Sequence, residues 1–324
     1  MEYKFKKILI GFDNSSASKI ALEKALQTCK TFHSDLYVVN VKGSKSSEEN
    51  FQAEIEAKAS TYGVTAHYME KRGNVSKEIA VTEREIGADL IFMGAHGVQG
   101  FQPYWIGSNA NRVVSASSCP VITIQEDAVN ADFSNIILPL DDSVETRQKV
   151  PYAIVFAKAF NATIHILAVS KDTHADTLRR ITAYAHQTEK YLEERGVKFT
   201  TEIKQGNNVP QTCIDYAANK KAGLIMMMTE TESSGWFMGT YAQQLINHSP
   251  TPILSIHSRD LLLTGAAGLL VISVFKIACY RSLIIIPAAG WAIGVITMSF
   301  TFTRAGRLIH QIMASAISSA TKLS

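Results

Sequence analysis

Short apolar runs rich in β-branched residues alternate along the chain with stretches whose apolar residues recur at helical spacing. Ile8–Gly11 and Leu36–Val41 are runs of the first kind and predict strands. Between them, Ser15–Cys29 carries Ile20, Ala21, Ala25 and Leu26 on one helical face, with Ser15 or Ser16 placed to cap the helix start. The pattern then predicts a polar helix over Glu48–Tyr62, a strand over His67–Lys71 and a helix over Ser76–Ile86. It closes with a strand over Leu90–Met93, a helix over Asn109–Ser115 and a strand over Val121–Ile124. Strands that alternate with helices imply an α/β fold: a parallel sheet covered on both faces.

The same unit is written twice. KKILIGFDNSSASKIALEKALQTCKTFHSDLYVVNV (6–41) matches NIILPLDDSVETRQKVPYAIVFAKAFNATIHILAV (135–169), and Asp13 falls on Asp141 and Val41 on Val169, both 128 residues on. ADLIFMG (88–94) matches AGLIMMM (222–228) at 134, and CPVITI (119–124) matches TPILSI (251–256) at 132. Offsets that drift by a few residues are what loop-length changes produce in a duplicated domain. The predicted domains are 1–126 and 135–257, joined by the polar linker Glu126–Ser134. The last strand of each unit, Val121–Ile124 and Ile253–Ile256, is expected at an edge, and exposed edges invite pairing. A tandem chain can satisfy that pairing internally.

After residue 258 the pattern changes. Leu261–Phe275 has no charge over fifteen residues and Leu283–Phe302 none over twenty. Twenty helical residues cover the roughly 30 Å of a bilayer's hydrocarbon core. The stretch 261–302 therefore reads as a transmembrane helical hairpin turning at Tyr280-Arg281-Ser282, with 303–324 as a helical cytoplasmic tail. The competing reading is a buried hairpin within the protein. The lack of any polar face over this length favours the membrane. Arg259 before the hairpin and Arg304 and Arg307 after it place both ends on the cytoplasmic side, although Lys276 and Arg281 in the outer turn weaken that bias.

Charge sharpens this division. The net charge of +3 hides an asymmetry: from Arg259 onward six basic residues face one acid, leaving 26 basic and 28 acidic residues before it. A mildly acidic body with no basic stripe argues against nucleic-acid binding. Cys29, Cys119, Cys213 and Cys279 are scattered, with no C-x-x-C, which suits a reducing compartment. No Cys/His spacing suits a metal site. The opening MEYKFKKILIGF has too short an apolar run for a signal peptide and reads as a buried first strand.

The candidate chemistry sits at the strand ends. In a parallel α/β sheet, ligands lie beyond the carboxyl ends of the strands, near a topological switch point. Asp13, Val41 and Gly94 end predicted strands one, two and four, and Gly107-Ser108 opens the next helix. The helix start offers free amides and a positive dipole end, Gly94 and Gly97 let backbone approach an anion, and Ser108 and Asn109 add side-chain donors. No Lys of a phosphate-transfer loop is present, so the cradle suits holding a nucleotide more than transferring its phosphate.

The spacing Gly94-x2-Gly97-x9-Gly107-Ser108, with ILIGFD (8–13) and VVNV (38–41), resembles the universal stress protein family in its tandem form, over residues 1–257. The resemblance implies an adenine nucleotide α-hydrolase-like fold and binding of ATP or AMP. Asp13 and the Val41 backbone would lie at the adenosine end, with Gly94, Gly97, Gly107, Ser108 and Asn109 around the phosphates and a divalent ion such as Mg2+ beside them. Dimerisation through the last strand is also implied.

The second unit departs from this pattern. Met228 and Thr231 stand where Gly94 and Gly97 do, Glu230 and Glu232 join the loop, and only Gly239-Thr240 survives, in a loop two residues shorter. Carboxylates and Cβ atoms there repel and crowd a phosphate, so one nucleotide per chain is expected. Asp13 serves the site, caps the next helix, or does both. Asp141-Asp142 reads as the old strand-end Asp plus an N-cap rather than a metal pair. Met226-Met227-Met228 reads as buried strand, Glu193-Glu194 as solvated, and His96 as a solvated loop residue. Tyr104 and Trp105 are either a lid, a partner contact or folded over the loop. The sequence thus describes a regulatory nucleotide binder, tethered to the inner membrane face and acting on a partner such as a transporter. The rivals are a slow ATPase or adenylate-transferring enzyme, which needs a positioned base or Lys not found near the motif, and a nucleotide-free adaptor.

Overall fold

A computed structural model describes residues 5–42, 51–95, 109–128, 132–143, 145–171, 174–229 and 239–258. The predicted hairpin, the tail and most of the Gly94–Ser108 loop lie outside them. Among the described residues no helix is long and apolar enough to cross a membrane.

The first half runs β1 (Lys7–Gly11), α1 (Ser16–Phe32), β2 (Asp35–Lys42), α2 (Gln52–Tyr62), β3 (Ala66–Arg72), α3 (Val75–Ile86), β4 (Leu90–Ala95), α4 (Asn109–Ala116) and β5 (Val121–Gln125). The second runs β6 (Asn135–Leu140), a 3-10 turn (Glu145–Arg147), α5 (Val150–Phe160), β7 (Thr163–Ser170), α6 (Ala175–Glu193), β8 (Phe199–Gln205), α7 (Val209–Asn219), β9 (Leu224–Met228), α8 (Thr240–His248) and β10 (Ile253–Ile256). The strands form one sheet in the order β3-β2-β1-β4-β5-β10-β9-β6-β7-β8. Read outward from the centre, both halves give the same order.

All neighbours are parallel except the central pair, where β5 and β10 run antiparallel with Thr123 opposite Ile253 and Val121 opposite Ser255. The two strands expected at edges therefore bury each other's edges, as a pseudo-two-fold pairing requires. Side chains repeat the symmetry. Gln125 Nε2 donates to Ile246 O at 2.9 Å, and His257, its counterpart 132 residues on, places Nε2 at 2.5 Å from Val114 O. A carbonyl only accepts, so that imidazole nitrogen carries the proton.

Alternation along each strand sends one set of side chains to each face. Ile8 and Ile10 point into a core shared with α1, α2, α5 and α6, while Leu9 points into the opposite core beneath α3, α4, α7 and α8. The first core crosses the domain boundary. Phe5 packs on Phe156 at 5.5 Å, and Phe32 and Phe133 meet the same ring at 5.5 and 5.9 Å, all edge-on. Such pairs add about 1 kcal/mol each beyond their burial. Met226 and Met227 are buried in β9, and Glu193 and Glu194 are exposed, as their patterns imply.

Candidate functional site

Strand β1 lies between β2 and β4, and the chain leaves β1 and β4 toward opposite faces. Helix α1 packs Ala21, Leu22, Ala25 and Leu26 into one core, and α4 packs Ala110, Val113 and Val114 into the other. Two helix starts thus diverge above adjacent strand ends, the arrangement that in such sheets makes a crevice at the switch point.

Asp13 is exposed at this crevice. Its Oδ1 accepts from Ser15 N at 3.1 Å and Ser15 Oγ at 2.5 Å. Ser15 is the N-cap of α1, its Oγ accepting from Ser18 N at 3.2 Å. Asp13 therefore does not cap the helix itself; it orients the residue that does. Val41 lies in β2, half-buried, in register with Lys71 of β3. Val39 faces β1, since its carbonyl accepts from Phe12 N at 2.9 Å. Val41, two residues on, turns its amide and carbonyl the same way, past the end of β1 and into the crevice. Asn109 is exposed at the first position of α4. Asp13, Val41, Gly94 and Asn109 are thus gathered at one end of the sheet. Gly97, Gly107 and Ser108 lie outside the described residues, as do His96, Tyr104 and Trp105.

Gly94 has a packing reason that the sequence did not reveal. A Cβ on it would stand 2.7 Å from Ser18 N and 2.8 Å from the Ala17 carbonyl carbon. The backbone that needs a bare Cα at Gly94 is the first turn of α1.

The corresponding corner of the second half starts identically. Asp141 Oδ1 accepts from Ser143 N at 2.9 Å and Ser143 Oγ at 2.5 Å. The chain then diverges. Met228 stands in place of Gly94, and its Cβ would meet a helix turn placed as in α1. The residues equivalent to Ala17 and Ser18, Glu145 and Thr146, form the 3-10 turn instead, and α5 starts only at Val150 with no side-chain cap. The expected N-cap at Asp141-Asp142 is therefore corrected: no helix begins there, and Asp142 pairs with Arg180 of α6 at 2.9 Å. Arg147 lies over the Tyr184 ring, 4.2 Å from its centroid, and bonds Gln187.

Sequence reading also missed Lys149. It is 3% exposed, and its Nζ donates to Thr146 O at 2.6 Å and Thr146 Oγ1 at 3.1 Å. Thr146 Oγ1 in turn accepts from Asp141 N at 3.0 Å. Burial pulls the ammonium down to about 8, against the opposing pull of the Asp141 carboxylate. Burial likewise pushes the Cys213 thiol up to about 12, so it packs rather than reacts. Where the first half has an open strand end, the second has a buried polar knot tied to α6.

Comparison with known proteins follows this geometry. The model of the Universal stress protein family matches twice, over residues 4–125 and 132–257. A universal stress protein of Methanocaldococcus jannaschii is 28% identical over 141 residues, covering 38% of this chain and 83% of its own. The universal stress protein YxiE of Bacillus subtilis is 26% identical over 147 residues, 37% of this chain and 99% of its own. Among solved structures, a universal stress protein from Archaeoglobus fulgidus superposes with a TM-score of 0.63 at 21% identity, covering 79% of this chain and 97% of that one. That likeness concerns the fold.

Proposed function

The chain belongs to the universal stress protein family, and from that premise we propose that it is a stress-response regulator holding one adenine nucleotide, ATP or AMP, in its first half. Residues 1–126 form the binding unit, and residues 135–257 keep the fold without the site. Asp13 and the Val41 backbone meet the adenosine end. Gly94, Gly97, Gly107, Ser108 and Asn109 surround the phosphates, with a divalent ion such as Mg2+ alongside. The stretch 261–302 tethers the protein to the cytoplasmic face of a membrane and raises its local concentration near a membrane partner such as a transporter. Nucleotide occupancy sets the conformation of the Gly94–Gly107 loop, and the partner reads that loop.

The observation that carries this reading is the asymmetry of the two strand-end corners. One presents an exposed carboxylate, the ends of adjacent strands and a helix start at the switch point. The other fills the same place with Met228, the Lys149 knot and its ties to α6. The test is mass spectrometry of nucleotide carried by the full-length protein purified from membranes, followed by calorimetry with ATP and AMP. One adenine nucleotide per chain is expected. Two per chain, or none in either measurement, overturns the proposal.

A further inference from the structure

One side chain reaches from β2 to the residue that follows β1. Strands β1 and β2 pair as far as Gly11 opposite Val39. In the second half the same ladder runs one residue further, to Leu140 opposite Ala168. In the first half Phe12 N still donates to Val39 O at 2.9 Å, but the Phe12 carbonyl is held by a side chain: Asn40 Nδ2 donates to it at 2.8 Å. Asn40 is 6% exposed, a polar residue within the apolar run of β2. Its counterpart 128 residues on is Ala168, which has no donor to offer.

The placement matters because Phe12 and Asn40 each precede a residue of the proposed adenosine end. Phe12 is followed by Asp13, and Asn40 by Val41. Together with the Phe12 N to Val39 O bond, this amide-to-carbonyl bond is the last described link between the two strands before Asp13 and Val41. Buried from water, it faces little competition, so it holds the strand ends at a fixed separation. We propose that Asn40 is a positioning residue that sets the distance between Asp13 and the Val41 backbone, and thereby the fit of the adenosine moiety but not of the phosphates. This rests on the nucleotide reading given above.

Full-length protein carrying Asn40→Ala, and separately Asn40→Leu, which keeps the volume and lacks the donor, should be titrated by calorimetry with ATP, adenosine and inorganic tripolyphosphate. Both variants are expected to bind ATP and adenosine about tenfold more weakly, the worth of one buried hydrogen bond, with tripolyphosphate affinity unchanged. A loss that includes tripolyphosphate reports general damage and overturns the positioning role. Unchanged ATP affinity in either folded variant overturns it too, while leaving the nucleotide reading intact. Failure of the unaltered protein to bind ATP removes both.

Discussion

Two corners of this molecule begin with the same hydrogen-bonded turn and end differently. Asp13 holds Ser15 as Asp141 holds Ser143, with nearly the same distances. After Ser15 a helix starts at once; after Ser143 it starts about six residues later than the repeat implies. The local sequence already separates the two cases: a helix begun at residue 144 would carry Pro151 in its interior, where it lacks an amide and clashes with the preceding turn, whereas the first half has Glu23 there. The neighbouring strand differs as well. A glycine at 94 admits the first turn of α1 against β4, and a methionine stands at the equivalent position 228 of β9. The first turn of α1 rests on a bare Cα more than seventy residues away from it.

The comparison breaks most directly if the second half's residue is moved into the first. Gly94→Met places a Cβ 2.7 Å from the Ser18 amide, where backbone rather than a flexible side chain must move. Overpacking of this kind costs about 1–3 kcal/mol, and more when backbone is displaced. The displaced first turn carries Ser15, and with it the Asp13 carboxylate, so nucleotide affinity should fall at least tenfold. Gly94→Ala should show the same effects, weaker. Urea unfolding and calorimetry on the two variants check this. Full stability and affinity in Gly94→Met would show that α1 does not need the bare Cα.

Lys149 sharpens the contrast from the other side. Its folded-state value of about 8 lies below the ordinary 10.5. The uncharged form is thus favoured by folding, so the stability linked to this group is complete above about 10.5 and is lost as the pH falls through about 8. Over that window the linkage amounts to on the order of 3 kcal/mol. At pH 7 the buried ammonium is a burden on the folded state, and Lys149→Met should be more stable than the unaltered protein by about 2 kcal/mol. The gap should close as the pH is raised to 10. Unfolding midpoints of the two proteins at both pH values test the sign. A gap that does not change with pH would mean that the ammonium is not desolvated as its burial implies.

What the sequence made legible was local or repetitive. The strands of the first half lie within a residue or two of their predicted bounds because alternation and β-branched runs encode them directly. Ser15 was one of two candidate caps. The β5–β10 seam was legible because a duplicated unit with an edge strand has a second copy of that edge to pair with. Four features went unread. The late start of α5 had a signal that went unread, Pro151, which sits in the first turn of α5 and would break a helix begun at residue 144. Gly94 reads in sequence as room for an anion, and the fold gives that room to α1. Asn40 had a signal that went unused: an amide within the apolar run VVNV has to spend its hydrogen bonds somewhere. Lys149 had none, since a lysine beside Val150 in a helical pattern looks solvated until the shortened helix buries it.

The smaller effects test whether the shared turn has kept its purpose. Ser15 caps a helix through Ser18 N, so Ser15→Ala removes a real cap and should cost about 1 kcal/mol. The Ser143 hydroxyl bonds back to Asp141, and it is the Ser143 carbonyl, kept in an alanine, that accepts from Thr146 N, so Ser143→Ala should cost less than half as much. Equal losses at the two positions would mean that the second turn still supports the chain beyond it. Arg180→Ala should change stability least, within about 0.5 kcal/mol, because Arg180 and Asp142 are both well exposed and such pairs are screened. The ranking of these three by thermal unfolding separates a helix cap, a remnant of one, and a surface tie. A larger loss at Arg180 than at Ser15 would place the stability of the second corner in its bonds to α6, and would make the closure of that corner an active restraint rather than the by-product of a helix that starts late.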